Sequence, residues 1–150
     1  MARLPGGKPF FKSRPDIAFN ISHSGGFALC GVGTSPLGVD IELVRPRRAG
    51  LPRRILAVEE QAQLAKAQNP AGRLIAFWTL KESFVKYTGE GLRVPLRESV
   101  FEIAASGAVS SNRTSCQFSL VEREAFCAAL CLGAEEEAPE MLWNISIDQL

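Results

Sequence analysis

The chain has 150 residues, 46% apolar and 22% charged, and a formal charge of +1. That length and balance fit one soluble domain with a real core and exclude a disordered or fibrous chain. The near-neutral charge argues against a protein held on nucleic acid by its overall field. No apolar run is long enough to span a membrane. The opening MARLPGGKPFF lacks the apolar core of a signal peptide, so a cytoplasmic location is expected.

Residues 1 to 15, rich in Gly, Pro and basic side chains, read as an irregular lead-in. Ile17, Phe19 and Ile21 alternate as a short strand that runs into the turn-forming SHSGG, and FALCGV from Phe27 reads as the returning strand of a hairpin. SPLG then turns into GVDIELV, residues 38 to 44. Here Val39, Ile41 and Leu43 alternate with Asp40 and Glu42, the signature of a strand with one face in the core. Asp40 and Glu42 share its other face, with backbones about 6.6 Å apart.

After a polar loop, RPRRAGLPRR, the recurrence of Leu51, Ile55, Val58, Ala62 and Ala65 predicts one helix ending at NPAG. A second helix is expected from Arg73 to Tyr87, with Phe77, Leu80, Phe84 and Tyr87 as its apolar stripe and TGEG as its stop. Strands are expected at Val100 to Ala104, Cys116 to Glu122 and Phe126 to Leu132, and MLWNISI reads as a last strand. The Glu135 to Glu137 run reads as a solvated loop. Strands and helices are segregated in the order βββ-αα-βββ, which favours an α+β fold: an antiparallel sheet packed against two main helices.

Cys30, Cys116, Cys127 and Cys131 form no C-x-x-C pair, and His23 is the only histidine. A zinc site of common spacing is therefore not expected, and the cysteines read as small thiols in a reducing compartment. The second helix places Trp78, Glu82, Val85 and Lys86 opposite the apolar stripe. Taken separately, D-x-E reads as a solvated strand face and Glu82–Lys86 as a helical ion pair worth about 0.2–0.5 kcal/mol. Together, Asp40, Glu42 and Glu82 make a hard, oxygen-only set suited to Mg²⁺. Lys81 and Lys86 make sense beside it if phosphate oxygens share the site. Ser22, His23 and the SHSGG turn could donate to the same anion.

FNISHSG (19–25), GVDIE (38–42) and FWTLKESFVKYTGEGL (77–92), in that order, resemble the 4′-phosphopantetheinyl transferases of the larger class, which activates surfactin-synthetase-like carrier proteins. The resemblance extends more weakly from GKP at residues 7 to 9 to FCAALCL. It implies transfer of the phosphopantetheine arm of coenzyme A to a carrier-protein serine, with release of adenosine 3′,5′-bisphosphate. By the same resemblance, Asp40, Glu42 and Glu82 hold Mg²⁺, and Glu82 serves as base for the serine. Lys86 neutralises the bridging oxygen with Lys81 nearby, and Lys8, Ser22 and His23 grip coenzyme A phosphates. The family pattern is two similar half-domains. Residues 1–37 correspond to the end of the first and residues 38–150 to the second, so self-association that rebuilds the cleft is expected.

The alternative is a coenzyme A or carrier-protein binding module without turnover. Arg45, Arg47, Arg48, Arg53 and Arg54 form either a docking patch for an acidic carrier or a solvated loop. With no aromatic residues interleaved, they do not read as a nucleic-acid surface. Ser beside His in SHSGG suggests a serine hydrolase only weakly, since no G-x-S-x-G elbow is present.

Overall fold

The computed structural model describes residues 2–3, 7–48 and 50–137. The expected strand MLWNISI lies outside the described residues. The chain is α+β, as its segregated pattern implies. A two-residue ladder joins β1 (Ala2–Arg3) to β2 (Pro9–Phe10) within the lead-in. The hairpin β3 (Ala18–Ser24) and β4 (Phe27–Gly33) turns at Gly25, whose φ of 58° favours glycine.

The expected D-x-E strand is β5 (Leu37–Leu43). It pairs antiparallel with β9 (Phe126–Gly133), which in turn pairs with β8 (Cys116–Glu122), in the order β5-β9-β8. Val39 and Ile41 are buried as expected, but Asp40 is buried too, at 4% exposure. Both faces of β5 are therefore covered. Gly31 of the hairpin lies against Leu37 and Val39 on one side, and Gly38 lies against the backbone of Ser83 and Tyr87 on the other.

The helix that covers the Asp40 face is α3 (Pro70–Thr88). The Asn69 side chain caps it by accepting from the Gly72 N–H at 3.0 Å, and Pro70 opens its first turn. Gly89, at φ 71°, ends it. NPAG thus starts this helix as well as closing the segment before it. Phe77, Leu80 and Phe84 of the expected stripe are buried, and so are Leu74, Ile75, Thr79, Lys81 and Ser83. The side carrying Trp78, Glu82, Val85 and Lys86 stays partly open, and so does Tyr87, the last residue of the expected stripe.

The single helix expected over 51–65 is two, α1 (Leu51–Ile55) and α2 (Val58–Lys66). Leu56 and Ala57 between them adopt extended conformations, with ψ of 138° and 168°. The proposed stripe fails beyond the break, where Val58 is 72% exposed. A continuous helix with that stripe inward would have turned Glu60 to solvent, because it lies roughly opposite Ile55 at 100° per residue. The break instead buries Leu56, Ala57 and Glu60.

The chain returns through two short 3-10 turns, Gly91–Arg93 and Leu96–Glu98, to β6 (Phe101–Ile103). β6 pairs with β7 (Val109–Ser111), which lies between the strands expected at Val100 to Ala104 and Cys116 to Glu122. The main core, between α1–α3 and the sheet, gathers Leu56, Ile75, Phe77, Leu80, Phe101 and Cys127. No helix among the described residues is long and apolar enough to cross a membrane.

Candidate active site where β5 meets α3

Alternation along β5 puts Gly38 and Asp40 on the α3 side, and the missing Cβ of Gly38 lets the helix backbone close onto the strand. That approach brings Lys86 to Asp40: Nζ donates to Oδ1 at 2.7 Å. Ser22 Oγ donates to the same oxygen at 2.8 Å. Asp40 Oδ2 is buried and has no hydrogen-bond partner. Burial pushes the Asp40 carboxyl above the usual carboxylate range, against the pull of Lys86 and Ser22.

Glu82 sits one helical turn before Lys86 on the same partly open side. Its carboxyl is also pushed up, first by burial and then by the charges of Asp40 and Glu42, with Lys86 opposing. Glu82 thus feels the charges of Asp40 and Glu42, Asp40 feels that of Glu42, and Lys86 opposes both. Glu42 accepts from Ser24 Oγ at 3.1 Å and from Arg47 Nη2 at 2.6 Å, both through Oε2.

As placed, no three His, Cys, Asp or Glu side chains among the described residues stand close enough to enclose a metal ion. Mg²⁺ does not require such a cage. It keeps several waters and takes one or two carboxylates plus substrate phosphate. A buried carboxylate oxygen without a partner, with two further acids whose charges reach Glu82 or Asp40, fits a hard divalent cation.

The other residues expected here lie elsewhere. Lys81 is fully buried in the core, its ammonium 2.8 Å from Glu60 Oε2 and donating to the carbonyls of Leu96 and Ser99. Glu60 also accepts from the N–H groups of Ala57 and Phe101. Burial lowers the Lys81 pKa, with Glu60 opposing. The same helical geometry that opposes Glu82 to the apolar stripe sets Lys81 only about 40° from Phe77, on the core side of the helix.

Lys8 staples the lead-in to the carbonyls of Leu37, at 2.8 Å, and Tyr87, at 3.1 Å, and burial lowers its pKa. His23 lies on the exposed face of the hairpin, opposite Ser22 and Ser24. Sequence reasoning gave Asn20 no role, took Ser24 only as part of the SHSGG anion turn and read Arg47 as docking patch or solvated loop, where the structure sets Ser24 and Arg47 on Glu42. Asn20, Ser22 and Ser24 recur at every second residue, and that spacing alone marks a polar face of β3. A cavity of about 690 Å³ is lined by β4, β5, β8 and β9 and includes none of the three acids.

An antiparallel sheet against a long helix, with acids and a lysine at their seam, defines an α+β protein with a charged site between strand and helix. The family model of the 4′-phosphopantetheinyl transferase superfamily matches residues 36–131, and the chain belongs to that superfamily.

A Bacillus subtilis 4′-phosphopantetheinyl transferase is 37% identical over 69% of this chain and 47% of its own length. The transferase Sfp of B. subtilis strain 168 is 31% identical over 96% of this chain and 67% of its own length. The chain thus spans about half to two thirds of these relatives. Among solved structures, holo-[acyl-carrier-protein] synthase from Neisseria meningitidis superposes with a TM-score of 0.57 at 20% identity, over 65% of this chain and 96% of that one. The Bacillus anthracis synthase, solved in complex with coenzyme A (3′,5′-ADP), gives 0.55 at 17% identity, over 64% and 92%.

Proposed function

We propose that this protein transfers the 4′-phosphopantetheine arm of coenzyme A to a serine hydroxyl of an acidic acyl or peptidyl carrier protein, with Mg²⁺, in the cytoplasm. The observation that carries the reading is the meeting of Asp40, Glu82 and Lys86 at the seam of β5 and α3, within the segment the family model matches. The serine oxygen forms a bond to the phosphorus next to pantetheine. The bond from that phosphorus to the bridging oxygen breaks, and adenosine 3′,5′-bisphosphate leaves.

In this reading Asp40, Glu42 and Glu82 are the acids that would hold Mg²⁺, one or two of them directly and the rest through its waters, and the ion would draw charge from the pyrophosphate oxygens. Glu82, with its proton affinity raised by burial and neighbouring charge, takes the serine proton. Lys86 stands on the partly open face of α3 and offers its ammonium to the bridging oxygen as negative charge develops there. Of the residues expected to grip coenzyme A, His23 is exposed and is assigned to a phosphate. In this reading residues 1–37 correspond to the end of the family's first half-domain and residues 38–150 to its second.

The half-length match to the relatives favours one second reading, a binding module without turnover. Chromatographic assay of adenosine 3′,5′-bisphosphate, with coenzyme A, an apo acyl carrier protein and Mg²⁺, separates the two. Release that chelation stops, and that Asp40→Asn lowers about 100-fold or more, supports transfer. Binding of coenzyme A with no release supports the module.

A further inference from the structure

The exposed edge of β5 is covered by side chains where a neighbouring strand would normally supply backbone. Val39 N–H donates to Asn20 Oδ1 at 2.9 Å, Ile41 N–H to Ser22 Oγ at 3.2 Å and Leu43 N–H to Ser24 Oγ at 3.2 Å. Three alternate residues of β3 thus serve three alternate amides of β5, and all three polar side chains are buried. An unpaired strand edge is a liability, and this arrangement satisfies it.

The two serines do something that Asn20 does not. A hydroxyl can accept and donate at once. Ser22 accepts from Ile41 and donates to Asp40 Oδ1, while Ser24 accepts from Leu43 and donates to Glu42 Oε2. Each serine therefore ties a carboxylate to the backbone of the residue that follows it. With Oδ1 held from two sides, Asp40 keeps Oδ2 without a partner.

We infer that Ser22 and Ser24 are positioning residues that hold Asp40 and Glu42 by one oxygen each, presenting the pair to a divalent cation. This rests on the reading of Asp40 and Glu42 as metal ligands. Fixed orientation of ligating carboxylates by hydrogen bonds is what raises metal affinity beyond that of loose acids. It also gives Ser22 a role other than gripping a phosphate, because its single proton is already engaged by Asp40.

Mn²⁺, titrated against the full chain and followed by the resonance of the free ion, provides the test. Asn20→Ala removes a backbone cap of the same kind and touches no acid. It is expected to lower the melting temperature and leave the Mn²⁺ dissociation constant within twofold. Ser22→Ala and Ser24→Ala should raise that constant at least fivefold, and Ser24→Thr, which keeps the hydroxyl, should restore it to within twofold. Ser24 lies at the end of β3, so its variant carries the test if Ser22→Ala does not fold. Equal constants for Asn20→Ala and the serine variants would overturn the positioning role while leaving the metal reading in place. No Mn²⁺ binding by the unaltered chain would remove the metal reading and this inference together.

Discussion

Asp40 and Glu82 are ionisable groups in surroundings that disfavour their charge, with Lys86 as partial relief. Such groups weaken a fold in order to be available to a ligand. Glu82→Gln should therefore raise the melting temperature in chelator by about 2 °C, by scanning calorimetry. The same change should lower transfer at least about 100-fold, the scale of a lost general base.

The thiols are opposite in character. Burial pushes the Cys127 thiol from 9.0 up to about 12, and Cys131 upward in the same way, whereas Cys30 is exposed. Iodoacetamide at pH 8 should label Cys30 and spare Cys127 and Cys131, as read by peptide mass spectrometry. Because the folded pKa is raised, this contribution to stability is complete below pH 9 and is lost as pH rises towards about 12. Cys127→Ala should accordingly lose less melting temperature above pH 9 than the parent chain.

At the scale of elements, Gly38 and the Glu60–Lys81 pair fix how α3 lies on the sheet. A Cβ at Gly38 would fall inside the Ser83 carbonyl oxygen and the Tyr87 amide nitrogen, both rigid backbone. Gly38→Ala should cost about 3 kcal/mol in urea unfolding, since neither neighbour can move without shifting the helix. Lys81→Ala leaves Glu60 buried and without its ammonium, an expected loss of about 3–5 kcal/mol. Lys81→Met combined with Glu60→Gln should recover much of it.

These elements also mark what could be read from the sequence. The D-x-E strand and α3 were legible because Val39 and Ile41, and Phe77, Leu80 and Phe84, recur at strand and helix spacing and are buried. The Glu82–Lys86 side of α3 was legible for the same reason. Glu60 was not, because extended residues at Leu56 and Ala57 reset the helical phase that periodicity assumes. The Asn20, Ser22 and Ser24 rack depends on which edge of β5 lies beside β3, a tertiary pairing that no local pattern encodes.

For the whole molecule, three of the four exposed large apolar side chains among the described residues, Phe11, Ile21 and Val32 but not Val58, fall in the first 35 residues, ahead of the segment the family model matches. We expect this surface to drive self-association, seen as a dimer or larger species by light scattering at micromolar concentration. A monomer would contradict that. Arg45, Arg48, Arg53 and Arg54 are exposed, and Arg47 already answers Glu42. Reversing Arg48 and Arg53 to Glu should weaken binding of an acidic carrier several-fold at low salt and less at high salt.

The central claim is that the seam of β5 and α3 performs group transfer. Intact-protein mass spectrometry of an apo carrier protein, incubated with coenzyme A, Mg²⁺ and this chain, tests it most directly. The account predicts a gain of one phosphopantetheine on the carrier, absent with Glu82→Gln and absent in chelator. A folded chain that leaves the carrier mass unchanged would contradict it, as would a gain that survives Glu82→Gln.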